Sequence, residues 1–143
     1  GELKPILDCL VTLKREGIWT EIVYLVVPTL NDDRREIEAM CAWILDNLGP
    51  DVPVHFTRFH PMYLLKNLPS TPVKTLEMAR RTALKKGLNF VYIGNVPGHE
   101  GENTYCPKCG KVLIGRTGFS ILSNDVVSGK CKHCGEMIPG VWS

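Results

Sequence analysis

The chain has 143 residues, enough for one ordinary domain or for a domain with a small module attached. Its hydrophobic content of 44% and charged content of 22% are typical of a globular protein, and a net charge of +2 is too small to indicate nucleic-acid binding by electrostatics alone. The longest apolar run, at 22–27, suits a strand and is far shorter than the ~18 residues of a membrane span. The polar start of the chain predicts no signal peptide.

The first half of the chain predicts two helices around a strand. Residues 3–16 carry apolar side chains at helical period, and Gly17 is a natural stop. Residues 20–27 are apolar on both faces, which predicts a strand in a parallel sheet covered by helices. Residues 33–48 form the clearest helical pattern, and Asp33 followed by Glu36 resembles a capping box at its start.

The pattern then repeats. Residues 53–59 predict a second strand, and a helix follows that has Pro72 at its first position and runs to about Lys86. Residues 90–93 predict a third strand. Strict alternation of helices and strands predicts parallel strands with right-handed crossovers.

Three parallel strands make a narrow open sheet and cannot close a barrel. The chain also begins with a helix that has no strand before it. A sheet cut in this way exposes a long apolar edge. We therefore expect the chain to be the C-terminal part of a larger α/β protein, or to pair its edge with another chain; a complete small three-layer domain is the alternative.

The last third of the chain contains two Cys-x-x-Cys pairs, Cys106/Cys109 and Cys131/Cys134, separated by 21 residues. Two such turns supply four thiolates, the tetrahedral ligand set that zinc prefers, and the glycines between the pairs suit a β-hairpin. The pattern predicts a zinc ribbon, with His133 as a bystander. Two disulfides, a redox pair and a four-cysteine iron–sulfur centre are the alternatives. Metal-binding thiols indicate a reducing compartment, by default the cytoplasm.

Ligands of parallel α/β folds bind at the carboxyl ends of the strands. Arg58 and His60 lie at the end of the second predicted strand, and Asn95 and His99 lie in a glycine-rich loop after the third. These four residues are the candidate cofactor contacts. The alternatives are a histidine that bonds to nearby backbone, an arginine that pairs with a structural acid, and plain turn residues.

Side chains alternate along a strand, so Arg58 and His60 face one way and His55 and Thr57 the other. The sequence does not decide which of these two sets faces the interior of a barrel.

Several segments resemble a known family. Residues 26–32 (VVPTLND) resemble the late barrel strand and loop of radical S-adenosylmethionine enzymes related to the pyruvate formate-lyase activating enzyme. Residues 58–63 (RFHPMY), 94–99 (GNVPGH), 102–110 (ENTYCPKCG) and 138–142 (IPGVW) resemble the C-terminal half of the radical enzyme of the AmmeMemoRadiSam system. The resemblance covers essentially the whole chain.

The resemblance implies an α/β fold in which residues 1–95 are the C-terminal half of a partial (β/α)6 radical S-adenosylmethionine barrel. Residues 96–143 would be a linker loop and a four-cysteine zinc ribbon. In such enzymes a reduced iron–sulfur cluster cleaves S-adenosylmethionine to a 5′-deoxyadenosyl radical, which abstracts hydrogen from a substrate. His60 is the implied contact to S-adenosylmethionine. An arginine of the relatives aligns with Val23, so that contact is not carried over.

The chain departs from the family in one respect. The Cys-x-x-x-Cys-x-x-Cys motif that binds the 4Fe–4S cluster is absent, and neither Cys9 nor Cys41 has the spacing to replace it. We expect the chain alone to be inactive and to lack an N-terminal half-barrel or edge-pairing partner. The same relatives imply a protein substrate. The alternative function is a non-catalytic zinc-ribbon module that binds a protein or RNA partner.

Overall fold

The structure is a computed structural model that describes residues 2–142. Helices and strands alternate through the first two thirds of the chain, and short strands make up the last third. The helices are α1 (Leu3–Arg15), α2 (Arg34–Asn47) and α3 (Val73–Lys86), with 3-10 turns at Tyr63–Leu65 and Glu100–Glu102. The strands are β1 (Ile22–Val26), β2 (Val54–Arg58), β3 (Val91–Gly94), β4 (Thr104–Tyr105), β5 (Val112–Thr117), β6 (Ser120–Asn124), β7 (Val126–Val127) and β8 (Lys130–Cys131).

The first sheet is parallel and has the order β1-β2-β3, with Tyr24 opposite Phe56 and Phe56 opposite Ile93. Helices α2 and α3 pack against each other and against one face of this sheet. The predicted α/β class and the parallel strands are thereby confirmed. The core between helices and sheet includes Val26, Ile37, Cys41, Ile44, Val54, Phe56, Leu76, Ala79 and Ile93.

The starts of α2 and α3 differ in detail from the sequence prediction. Asp33 caps α2, because its Oδ1 accepts the N–H groups of Arg35 at 2.8 Å and Glu36 at 3.3 Å. The Glu36 carboxylate accepts the Tyr24 hydroxyl at 3.3 Å, so the expected capping box is only half present. Pro72 is the residue before α3 and not its first helical residue.

The opposite face of the sheet has no helix on it within residues 2–142. Val23 and Leu25 of β1 point to this face and are 67% and 45% exposed. The sequence predicts a parallel sheet covered by helices, and the described helices cover one face of it. Two-sided apolarity indicates what a strand can bury and not what this segment of chain supplies. The outer edge of β1 is also unpaired in the described sheet.

Helix α1 lies apart from the core and contains no buried residue. Its apolar stripe includes Leu3 and Ile6, which are 67% and 56% exposed, while Leu10 packs at the margin of the core. An amphipathic helix normally buries such a stripe. The structure therefore leaves a helix stripe, a strand face and a strand edge uncovered at the same end of the sheet.

The last third of the chain forms small antiparallel sheets. Strands β4, β5 and β6 make one sheet and β7 pairs with β8. The hairpin of β5 and β6 confirms the β-hairpin predicted between the cysteine pairs. Phe90, just before β3, shares a second core with Leu113, Ile114 and Ile138, so this module packs directly on the sheet.

Among the described residues, none of the helices has the length and apolar character required to cross a membrane.

Candidate metal centre

Four cysteines from two turns meet at one point beside the second core. Each turn has the same backbone plan: Gly110 N–H donates to the Cys106 carbonyl at 2.9 Å, and Gly135 N–H donates to the Cys131 carbonyl at 2.8 Å. Both glycines have positive φ, 70° and 75°, which a residue with a Cβ adopts only at a cost. The Cys-x-x-Cys-Gly spacing thus produces two matching knuckles.

The sulfur atoms are spaced for a single tetrahedral ion. The Sγ atoms of Cys106 and Cys134 are 3.6 Å apart, those of Cys109 and Cys131 are 3.8 Å apart, and all four lie within 4.8 Å of one another. Thiolates that lie ~2.3 Å from one zinc ion in tetrahedral geometry are about 3.8 Å apart. All four thiols are free, so the two-disulfide alternative is not the arrangement seen. A cluster of two or four irons would need wider separation, because its cysteine ligands are divided among different iron atoms.

The electrostatics of the cluster also favour a cation. Burial raises the pKa of Cys131, but the backbone N–H groups of His133 and Cys134 lower it by more, to about 7. The backbone N–H of Glu136 lowers the pKa of Cys134, yet burial and the neighbouring thiols raise it by more, to about 12. The Cys131 thiolate opposes ionisation of the Cys134 thiol, and a positive ion between the sulfur atoms would relieve that repulsion.

The polar residues near the cluster pair with each other and not with the sulfurs. His133 Nε2 lies 3.0 Å from Asp125 Oδ2, outside the four-cysteine group. Lys108 Nζ lies 3.1 Å from Glu136 Oε2 and links the two knuckles. Since the four cysteines complete a tetrahedron, the centre leaves no position open for a substrate, which is typical of a structural site.

The strand-end candidates divide into two groups. Arg58 Nε donates to the Thr71 carbonyl at 2.9 Å, and Asn95 Nδ2 donates to the Arg58 carbonyl at 3.1 Å. The structure therefore brings Arg58 and Asn95 together. His60 follows on the same loop and is exposed, with its Nδ1 3.5 Å from the Ser70 hydroxyl.

His99 lies against α3 and is occupied on both ring nitrogens. Its Nδ1 accepts the Gly101 N–H at 2.9 Å, and its Nε2 lies 3.3 Å from Glu77 Oε1. These contacts fix the turn Glu100–Glu102. His60 is thus the one candidate histidine whose ring remains accessible beside the strand ends.

One residue at the strand ends was not marked by any motif. Thr71 is fully buried; its Oγ1 donates to the Val26 carbonyl at 2.6 Å and accepts the Phe59 N–H at 2.9 Å. It joins the ends of β1 and β2 and so positions the loop of His60. The sequence shows it only as a threonine before a proline, and no local signal reveals partners 12 and 45 residues away.

Comparison with known proteins gives one informative similarity. No family model matches the sequence. The chain is 50% identical over 138 residues to the uncharacterized protein MJ0808 of Methanocaldococcus jannaschii, a match that covers 95% of this chain and 41% of that protein. The chain therefore spans about two fifths of the length of the relative it matches.

Proposed function

We propose that this chain is the C-terminal part of a radical S-adenosylmethionine enzyme related to the pyruvate formate-lyase activating enzyme. In this proposal the four cysteines hold a structural zinc ion, and the catalytic 4Fe–4S cluster belongs to an N-terminal half-barrel that the chain lacks. The observation that carries the proposal is the uncovered face and edge of the parallel sheet.

The uncovered face has the composition of a barrel interior. In a barrel the helices lie outside, and the opposite face of each strand lines the interior. Here α2 and α3 cover the face of Val54 and Phe56, so His55 and Thr57 point to the other face. The cysteine module covers the β3 part of that face at Tyr92, and the β1 part stays open. Polar side chains next to an exposed apolar residue, Val23, are typical of a strand face that lines a binding site. A strand face that is fully exposed to solvent would carry fewer apolar residues.

The free edge of β1 and the apolar stripe of α1 fit the same proposal. A strand and helix preceding α1 would pair with β1 and bury Leu3 and Ile6, which are otherwise exposed. The match to a relative more than twice as long leaves room for such a half-barrel. A radical enzyme needs a reducing compartment, so the cytoplasm stays our expectation for its location.

Zinc is the metal we propose for the cluster. Four thiolates at tetrahedral spacing favour zinc among the available divalent ions, and the closed ligand set suits a structural role. The ion would hold together a module whose core of Phe90, Leu113, Ile114 and Ile138 is too small to fold on its own.

His60 is the residue we propose to contact S-adenosylmethionine. It lies just beyond the carboxyl end of β2, where ligands of parallel α/β folds bind, and its ring is exposed. Arg58 and Asn95 stay in the proposal as neighbours that shape the loop, because their contacts are with backbone. His99 keeps its place as a predicted contact, although both its nitrogens have protein partners.

The proposal is tested on the longer reading frame that contains this chain. We expect it to encode the three-cysteine motif after a strand and, once reconstituted with iron and sulfide and reduced, to release 5′-deoxyadenosine from S-adenosylmethionine. The 143-residue chain treated identically should release none.

His60→Ala in the long form should weaken S-adenosylmethionine binding about tenfold, the cost of one lost polar contact, whereas His133→Ala serves as the matched control. A frame without the motif, or product from the short chain, would reject the proposal.

One observation favours the alternative of a non-catalytic binding module. Phe119 at the tip of the β5–β6 hairpin is fully exposed, and Ile121 and Leu122 beside it are also exposed. Such a patch suits a protein partner. RNA is less suited, because Lys108 and Lys132 near the cluster already pair with Glu136 and Asp125.

A further inference from the structure

A cleft of about 690 Å³ lies between the open face of the sheet and the cysteine module. This volume is in the range of pockets that hold small molecules. Its floor comes from the sheet through His55 and Tyr92, and its far wall comes from Arg116, Phe119 and Trp142 of the module. None of the four cysteines and no residue of the His60 loop lines it, whereas Asn95, just after β3, does.

The floor contains a preorganised chain of polar and aromatic groups. Glu21 Oε1 accepts the Trp19 indole N–H at 3.1 Å, and Glu21 Oε2 lies 2.7 Å from His55 Nε2. The His55 ring stacks on Tyr92, with centroids 4.7 Å apart and planes 18° from parallel. Tyr92 in turn bonds to Thr104 at 3.1 Å, so each ring is fixed in place.

His55 keeps one polar atom for a ligand. Its Nε2 faces Glu21, and its Nδ1 has no hydrogen-bond partner among residues 2–142. No buried side-chain nitrogen or oxygen of the described residues lacks a partner, so this Nδ1 must reach the open space of the cleft. Because the carboxylate holds the proton on Nε2, Nδ1 is available as an acceptor.

Arg116 supplies a positive charge that the described chain does not neutralise. It is half-buried on the cleft wall, and no carboxylate of residues 2–142 lies within salt-bridge distance of its guanidinium. Burial raises the pKa of Tyr92, while the Thr104 hydrogen bond and the charge of Arg116 oppose this rise, which places that charge near the floor. Both carboxylates of the cleft already have hydrogen-bond partners. Glu21 contacts Trp19 and His55, and Glu102 accepts the N–H groups of Gly98 and Gly118.

The cleft also has a rigid aromatic wall. Trp142 donates its indole N–H to the Ile138 carbonyl at 2.8 Å, and its ring lies so close to Gly140 that a Cβ there would be 2.8 Å from ring carbons. Trp19 and Phe119 offer two further exposed rings. The hydrogen-bonded Trp142 and Trp19 rings are held in place, and flat, fixed rings favour a planar ligand because stacking then costs little side-chain entropy.

We propose that this cleft binds a small planar molecule that carries an anionic group, a carboxylate or a phosphate. The anion pairs with Arg116, a donor on the ring system bonds to Nδ1 of His55, and the ring lies among the aromatic side chains. The groups that would hold this ligand differ from the proposed S-adenosylmethionine contact, since Glu21 and His55 lie towards the amino ends of the strands and His60 lies beyond a carboxyl end. Asn95 is the one cofactor candidate that also lines the cleft. It does not depend on radical chemistry.

The three tryptophans of the chain give a direct test. Trp19 and Trp142 line the cleft, whereas Trp43 packs at the margin of the helix–sheet core. The probes are adenosine 5′-monophosphate and 4-hydroxybenzoate, added to the metal-loaded chain and followed by amide and indole NMR spectra. A probe that binds should shift the indole signals of Trp19 and Trp142 up to a saturating limit and leave the signal of Trp43 unchanged. Neutral adenosine and 4-hydroxybenzamide should bind more weakly. The probe that binds distinguishes a phosphate from a carboxylate ligand.

Arg116→Gln should weaken binding of the anionic probe about tenfold or more, the usual cost of a charge-assisted hydrogen bond. Arg81→Gln, on the exposed side of α3, makes the same change of charge away from the cleft and should leave binding unchanged. The proposal is overturned if neither anion shifts Trp19 and Trp142 at millimolar concentration, or if Arg116→Gln and Arg81→Gln bind alike. The assay needs no iron–sulfur cluster, so its failure would leave the radical-enzyme proposal untouched.

Discussion

A single buried hydroxyl, that of Thr71, joins the carboxyl ends of two neighbouring strands. It donates to the Val26 carbonyl and accepts the Phe59 N–H, at 2.6 and 2.9 Å. Both partners are backbone groups of buried residues. The side chain therefore fixes the loop of His60 relative to β1.

Thr71→Val should lower the free energy of unfolding by about 2–3 kcal/mol, because it keeps the shape of the side chain but leaves a buried carbonyl and a buried N–H unpaired. Urea unfolding monitored by circular dichroism measures this loss. Thr71→Ser keeps the hydroxyl and should cost only about 1 kcal/mol for the lost methyl group. Equal losses in the two variants would show that packing, and not the hydrogen bonds, is what Thr71 contributes.

The two cysteine knuckles act as one element although 21 residues separate them. Each is local, and each repeats the same hydrogen bond between a glycine N–H and a cysteine carbonyl. The β5–β6 hairpin brings them together, and their four sulfur atoms are close enough to hold one metal ion. Removing the metal should release this element while the helix–sheet core, which shares no cysteine ligand, stays folded.

Thiol alkylation at pH 8 should modify the cysteines in three stages: with the metal bound, after chelation, and after unfolding. Of six cysteines, four form the cluster and Cys41 is buried, which leaves Cys9 as the exposed reactive thiol. Burial raises the pKa of Cys41 to about 11, so little of its thiolate forms at this pH. Mass spectrometry should show one adduct with metal bound, five after chelation and six after unfolding.

Cys9→Ser removes the first adduct and provides the control for that experiment. Adducts on Cys109 or Cys134 while the metal is bound would contradict the metal centre. A chain whose four cluster thiols resist alkylation after chelation, until a reductant is added, would contain the two disulfides instead.

At the scale of the whole molecule, the uncovered surfaces lie together. The free edge of β1, its exposed Val23 and Leu25, and the apolar stripe of α1 meet at one end of the sheet. Single exposed apolar residues are ordinary, but a strand edge with a helix stripe beside it is the kind of surface that we propose further chain or a partner buries. The similarity to a protein more than twice as long agrees with this reading.

Amide hydrogen exchange distinguishes the short and long forms. In this chain α1 should exchange close to the rate of an isolated helix, because it buries no residue. In the longer protein we expect α1 and β1 to exchange about 100-fold more slowly, since they would be packed and paired. The amides of α2 provide an internal control with similar protection in both. Equal exchange of α1 in the two forms would argue against a preceding half-barrel.

The sequence alone determined the features that depend on near neighbours in the chain. Helical period predicted α1, α2 and α3 to within a residue or two, and the Cys-x-x-Cys-Gly turns predicted the four-cysteine cluster, because both are set by contacts a few residues long. Tertiary structure alone decided which strand face is open, that Thr71 ties two strands together, and that Glu21, His55 and Arg116 line one cleft. Those outcomes depend on which distant segments of the chain pack against each other. The periodicity of a single strand does not indicate which segments these are.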